Sequence, residues 1–188
     1  MEITKKTGIE GINLIKYWES KHDGDLNKIG LQPKLCPADI WTTGYGHAII
    51  DPDTGKYIKA DTPDGYTRAC QLYPDLTDRE ADDLLKKDLL EAESKVNRWL
   101  KVEVNQNQFD ALISHCYNCG YSKTMYQLVN NMNLGISNLN KGDIGSHPIY
   151  KWFTEHYITA NGEVLKGLVD RRKDEALLFF QKQILTNK

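Results

Sequence analysis

The chain of 188 residues is short of several things, and each shortage closes a class of function. Its first ten residues, Met1-Glu-Ile-Thr-Lys-Lys-Thr-Gly-Ile-Glu10, hold no seven-residue apolar run and no small-residue cleavage site, so no secretory signal is expected there. No stretch approaches the roughly 18 apolar residues of a membrane span, and no stable membrane insertion is expected. Four cysteines are too few at this length for a disulfide framework and read as free thiols of a reducing compartment. The formal net charge of −2, with no basic stripe, gives no reason to expect nucleic acid. Cys116-x-x-Cys119 has no second ligand pair for zinc and no βαβ setting for redox work, so it reads as core thiols. Asp51-Pro-Asp-Thr-Gly55 lacks the spacing and the closing Glu of a calcium loop. No cofactor and no metal are expected, and the chain is read as a monomer.

What is present is helical periodicity around one β-rich stretch. Ile9, Ile12, Ile15 and Trp18 recur on one face, predicting a short helix over 8–19 that ends at Glu19. Residues 20–35 are polar with Gly24, Gly30 and Pro33, and read as loop; 51–75 repeat turn signals and read as a loop or hairpin. Thr77-Asp-Arg-Glu80 is a capping box opening a long amphipathic helix to Leu100 through Ala81, Leu84, Leu85, Leu89, Ala92, Val96 and Trp99. Further helices are predicted over 105–119, ended by Gly120, and over 123–134, 149–158 and 167–181. The fold class expected is α+β, mainly helical. The chain reads as a single domain of residues 1–188: a β-rich lobe at about 20–75, a connecting helix at 77–100, and a helical lobe at 101–188 against which the 8–19 helix packs.

The stretch that organises the rest is Cys36-Pro-Ala-Asp-Ile-Trp-Thr-Thr-Gly-Tyr-Gly-His47. Trp41 to His47 is β-branched and aromatic and predicts a short strand. On one strand, Gly44 and Gly46 would share a face without side chains, where a ligand or another backbone can come close. The hydroxyl of Thr42 and the imidazole of His47 would bracket that surface. Glu19 stands at a helix C-terminus beside apolar Trp18. Both neighbours disfavour the ionised carboxylate, which is what a proton donor needs, although a terminal Glu can equally be a solvated side chain.

Cys36-Pro-Ala-x-x-Trp-Thr-x-Gly-Tyr-Gly-His47 resembles the active-site hairpin of the phage-type lysozymes, the endolysins of glycoside hydrolase family 24. Gln108-Phe-Asp-Ala-Leu-Ile-Ser-His-Cys-Tyr-Asn-Cys-Gly120 and Gly167-Leu-Val-Asp-Arg-Arg172 match the same family in order. The resemblance implies a lysozyme-like fold and a muramidase cutting peptidoglycan glycan strands at the β-1,4 bond between N-acetylmuramic acid and N-acetylglucosamine. It makes Glu19 the general acid, Thr42 the residue that places the attacking water, and Cys36 the occupant of a position that other members give to Asp. By the same resemblance His47, Asn118 and Arg171 would contact substrate or its acid, Glu19 being the suggested partner of Arg171. An Arg171–Glu175 pair at i+4 on the surface is the other reading. Sixteen residues separate Glu19 from Cys36, where the family has eight, so Asp23, Asp25 and Asp39 compete with Cys36 as the second group. A lytic transglycosylase on the same bond and an inactive glycan-binding module are the alternatives. Without an evident signal peptide, synthesis in the cytoplasm is expected, and the wall substrate implied by the resemblance then requires release through a lysis pore or secretion machinery.

Overall fold

The computed structural model describes residues 4–19, 31–36, 38–120, 122–135, 144–160 and 162–186. Its contacts divide the chain into two compact units, Glu19–Asp88 and Met1–Trp18 with Leu89–Lys188. The predicted loop at 20–30, with Asp23 and Asp25, lies outside the described residues.

The Glu19–Asp88 unit is built on two small antiparallel sheets. Strands β1 (Lys34–Leu35), β2 (Trp41–Thr43) and β3 (His47–Ala48) form the first, with registers Lys34↔Thr42 and Thr43↔His47. Thus Lys34 and Leu35 belong to a strand and not to the expected loop. The single strand expected over Trp41–His47 is also corrected: it is two strands joined by a turn at Gly44-Tyr45-Gly46. Gly44 (φ 57°) and Gly46 (φ 86°) occupy the left-handed region, open to glycine at little cost, so the two glycines make a reversal and do not share a strand face. β4 (Ile50–Asp51) and β5 (Lys56–Tyr57) form a second hairpin.

Helix α2 (Gly65–Leu72) follows that hairpin, inside a segment that read as turns throughout. Pro63-Asp64-Gly65 does make a turn, with Asp64 at φ 52°, but the turn leads directly into the helix. Tertiary packing supplies what the local pattern did not: Ala69 of α2 is buried with Ile49 and Ile58, and Trp41, Leu72 and Tyr73 close over them. Arg68 of α2 also ties back to the hairpin through the Asp51 and Asp53 carboxylates.

α3 (Asp78–Trp99) opens on the expected capping box. Glu80 Oε2 accepts from the Thr77 backbone N–H (2.8 Å) and hydroxyl (2.7 Å), and the Thr77 hydroxyl accepts from Glu80 N–H (3.2 Å). Ala81, Leu85, Leu89, Ala92 and Val96 are buried along one stripe, as the periodicity requires.

In the other unit α4 (Gln106–Cys119) is the central element and packs chiefly on α7 (Lys166–Thr186). A second capping box, between Asn105 and Gln108, starts α4, and Gly120 at φ 71° ends it. Phe109, Leu112, Ile113 and Cys116 are fully buried on α4; Met125, Leu128, Val129 and Met132 are buried on α5 (Lys123–Asn133). α6 (Pro148–Glu155) begins with proline at its first position, where no backbone donor is needed, and buries Trp152 and Phe153. A short hairpin, β6 (Thr159–Ala160) with β7 (Glu163–Val164), precedes α7 and was not foreseen.

Residues 9–18 of α1 (Ile9–Glu19) belong to this unit. Asp110 of α4 accepts from the backbone N–H groups of Gly8 (2.8 Å) and Gly11 (3.1 Å), satisfying donors that a helix start leaves open. A Cβ on Gly11 would stand 2.8 Å from Asp110 Cβ, so the glycine allows this close approach. Ile15 is the buried apolar residue of α1, while Ile9 is 66% exposed, which corrects the expected stripe. At its first turn the helix is anchored through backbone amides and does not need an apolar side chain there.

Candidate active site

The last residue of α1, Glu19, is half-buried, and its Oε2 lies 3.4 Å from the point where a Cβ on Gly46 would stand. The absence of a side chain on Gly46 is therefore what leaves room for the carboxylate. Thr42, on β2, is buried and donates its hydroxyl proton to Lys34 O (3.0 Å). With that proton committed, the oxygen can meet any further partner only as an acceptor. Cys36, half-buried, follows β1 directly; its N–H donates to Ile40 O (2.9 Å) and its carbonyl accepts from Asp39 N–H (3.0 Å). Asp39, a competing acid, is exposed in that turn at φ 57°.

His47 has a different setting from the one expected. Its Nδ1 contacts both Asp88 carboxylate oxygens (2.9 Å each) and its Nε2 contacts Tyr73 Oη (2.9 Å). A carboxylate can only accept, so Nδ1 carries the proton, and in the neutral ring Nε2 accepts from the phenol. Burial, together with the Asp88 charge, raises Tyr73 above the ordinary phenol range and keeps that donor protonated. Both ring nitrogens are thus engaged inside the unit, and the ring holds the hairpin by its second strand.

Asn118 and Arg171 belong to the other unit, where they border a buried charged cluster centred on Glu175. Glu175 is completely buried and accepts from Ser114 Oγ (2.9 Å), His115 Nδ1 (2.8 Å) and Arg171 Nε (3.4 Å), with Arg172 Nη1 at 3.3 Å. The expected i+4 pair of Arg171 and Glu175 therefore exists, but Arg171 is 4% exposed and the pair is not a surface one. Burial alone would raise the Glu175 carboxyl; His115, Arg172 and Arg171 outweigh it and hold it below the usual carboxylate range. Burial lowers His115 so that the ring is neutral. His115 Nδ1 lies 2.8 Å from Glu175 Oε2 and 2.6 Å from Arg172 Nη1, and its ring packs edge-on against Trp152, Phe153 and Tyr157.

The two thiols of the Cys-x-x-Cys are packed groups. Burial pushes Cys116 up to about 12 and Cys119 to about 11, far above the range of a nucleophilic thiolate. Among the described residues no group of three or more His, Cys, Asp and Glu could hold a metal ion.

Sequence reasoning named Glu175 only as a surface partner of Arg171, and it missed Asp88, Tyr73, His115 and Arg172. A signal for the last two was present, in a histidine on the apolar face of α4 and in an arginine three residues before Glu175. For Asp88 and Tyr73 there was none, because their meeting with His47 depends on chain folded from 41 and 26 residues away.

Short antiparallel strands within a mainly helical α+β chain, with an acid at a helix end lodged against a glycine turn, define a lysozyme-like fold. The model of the phage lysozyme family matches residues 26–175, and the chain belongs to that family. It is 32% identical over 177 residues to the endolysin of Bacillus phage B103, covering 90% of this chain and 52% of that one. The chain thus spans about half the length of that relative. Among solved structures, the endolysin from Escherichia coli O157:H7 phage FAHEc1 superposes with a TM-score of 0.68 at 24% identity, over 97% of this chain and 98% of that one. The muramidase domain of SpmX from Asticaccaulis excentricus gives a TM-score of 0.60 at 26% identity, over 93% and 97%.

Proposed function

We propose that the protein is a peptidoglycan hydrolase, a muramidase that cleaves the β-1,4 bond between N-acetylmuramic acid and N-acetylglucosamine. Family membership and the name of the SpmX domain support the reaction class. The observation that carries the assignment of roles is the Glu19 carboxylate lodged against Gly46, in the turn of the hairpin that bears Thr42.

Glycoside hydrolysis requires a proton at the leaving oxygen and a group that manages the cationic sugar or the incoming water. Glu19 is the general acid. Thr42, able to accept, orients the water. Cys36 stands where relatives use a carboxylate; a neutral thiol positions rather than stabilises the developing cation. Asn118 and Arg171 contact the glycan, and His47 fixes the turn that makes space for Glu19. The protein acts on the wall after leaving the cytoplasm.

The thiol at Cys36 also supports a second reading, in which the muramic 6-hydroxyl attacks and no external water enters. Mass spectrometry of products from purified peptidoglycan separates the two: new reducing ends support the hydrolase, and 1,6-anhydro ends support the transglycosylase. Absence of either product would overturn the enzymatic assignment.

A further inference from the structure

Arg172 is a fully buried cation to which the mechanism above gives no role. It lies on α7 one residue after Arg171, and its guanidinium reaches α4 at three residues, Nη1 lying 2.6 Å from His115 Nδ1. Nη1 donates to Cys119 Sγ (2.7 Å), and Nη2 donates to Asn118 Oδ1 (2.6 Å). The same Nη1 lies 3.3 Å from Glu175 Oε2, and Glu175 is itself held by Ser114 and His115. One continuous chain of polar contacts therefore runs from the interior of the unit to Asn118, an exposed side chain one residue before the end of α4.

The chemistry of this contact dictates which way the amide points. A guanidinium has five N–H donors and no acceptor, so only the oxygen of Asn118 can face it. The Nδ2 amine, with two donors, is then turned away from the guanidinium. A solvent-exposed amide would ordinarily rotate freely and lose that freedom on meeting a ligand. Here a buried, charge-anchored partner has already restricted it.

Resting on the hydrolase reading above, we propose that Arg172 is a positioning residue for sugar recognition. It presents the two N–H donors of Asn118 to acceptor oxygens of the glycan, the acetamido carbonyl of an N-acetylhexosamine being the matching group. The role is distinct from acid catalysis, so its loss raises KM and leaves kcat nearly unchanged.

The test measures two quantities on the full chain. One is the dissociation constant for a soluble N-acetylglucosamine oligomer; the other is KM and kcat on purified peptidoglycan. The proteins are wild type, Asn118→Ala, Asn118→Asp, Arg172→Lys and the Asn118→Ala/Arg172→Lys double variant. Asn118→Asp keeps an acceptor for Arg172 but has no outward donors. It is expected to be at least as heat-stable as wild type, yet to bind about five-fold more weakly, as Asn118→Ala does. Arg172→Lys cannot reproduce the fork and is expected to weaken binding by a similar factor, with kcat within about two-fold. The double variant is expected to be no weaker than Asn118→Ala.

Asn118→Asp binding as tightly as wild type overturns the proposal. So does Arg172→Lys weakening binding as much in the Asn118→Ala background as alone. Should Arg172→Lys fail to fold, the Asn118→Asp comparison decides by itself. A wild type that binds the oligomer but releases no reducing ends sinks the hydrolase reading, and the binding constants still decide the role of Arg172. A wild type that does not bind the oligomer overturns the positioning role.

Discussion

The Glu19 carboxylate and the backbone of Gly46 are neighbours: Oε2 lies 3.4 Å from where a Cβ on that glycine would be. One residue type thus serves two demands, a turn at φ 86° and clearance for an acid. Gly46→Ala meets both obstacles. It is expected to cost about 1–2 kcal/mol of stability from the left-handed backbone and to slow the proposed peptidoglycan cleavage beyond what the lost stability explains. Glu19→Gln should abolish clearing of peptidoglycan suspensions while shifting stability by no more than about 1–2 kcal/mol. Turbidity assays beside chemical denaturation check both, and an active Glu19→Gln protein would remove Glu19 from the mechanism.

Thr42 is the second test. Thr42→Val keeps the β-branched shape and β propensity but removes the hydroxyl that donates to Lys34 O. If that oxygen orients the water, turnover falls roughly 10²-fold or more, whereas the lost hydrogen bond by itself costs only about 1 kcal/mol of stability. Thr42→Ser should restore most of the rate. A Val variant that is merely less stable but fully active returns Thr42 to a structural role.

Cys36 is expected to tolerate Asp, with activity equal to or above that of wild type, since a carboxylate there can stabilise a developing cation. Cys36→Ala should lose activity. If Cys36→Ala instead matches wild type, the second group lies elsewhere, and the exposed Asp39 of the adjoining turn is the next residue to replace.

The buried cluster around Glu175 makes stability depend on pH in a definite sense. His115 holds its proton less tightly when folded than its ordinary 6.5, so the unfolded chain protonates first as pH falls. The stability that His115 lends is present above about pH 6.5 and is lost on acidification. Glu175, held below its ordinary 4.5, adds a further loss as pH drops through and below that value. Urea midpoints should therefore fall from neutral pH toward pH 5 and again toward pH 3. His115→Gln should flatten the first of these steps, and identical pH profiles for variant and wild type would refute the assignment.

Much of this molecule was legible from short-range pattern. The capping boxes at Thr77–Glu80 and Asn105–Gln108, the buried stripe of α3 and the glycine that ends α4 follow from contacts within four residues along the chain. The candidate acid, thiol and threonine were named from the resemblance of the Cys36–His47 stretch and the helix before it to a family. What failed did so where local signals conflict with packing. Gly65 reads as a turn but opens a helix because Ala69 has an apolar cluster to join. Gly44 and Gly46 read as strand, although their positive φ values make a reversal.

The amino-acid order alone determined every helix but α2, the capped helix starts and the identity of the chemical groups, since hydrophobic period and capping act between near neighbours. Only the tertiary structure decided what those groups do to one another. Glu19 meets Gly46, His47 meets Asp88, and Arg172 meets Asn118 across 27, 41 and 54 positions of chain. No local preference encodes such distances. They are set by which buried surfaces the helices and hairpins find when the chain closes.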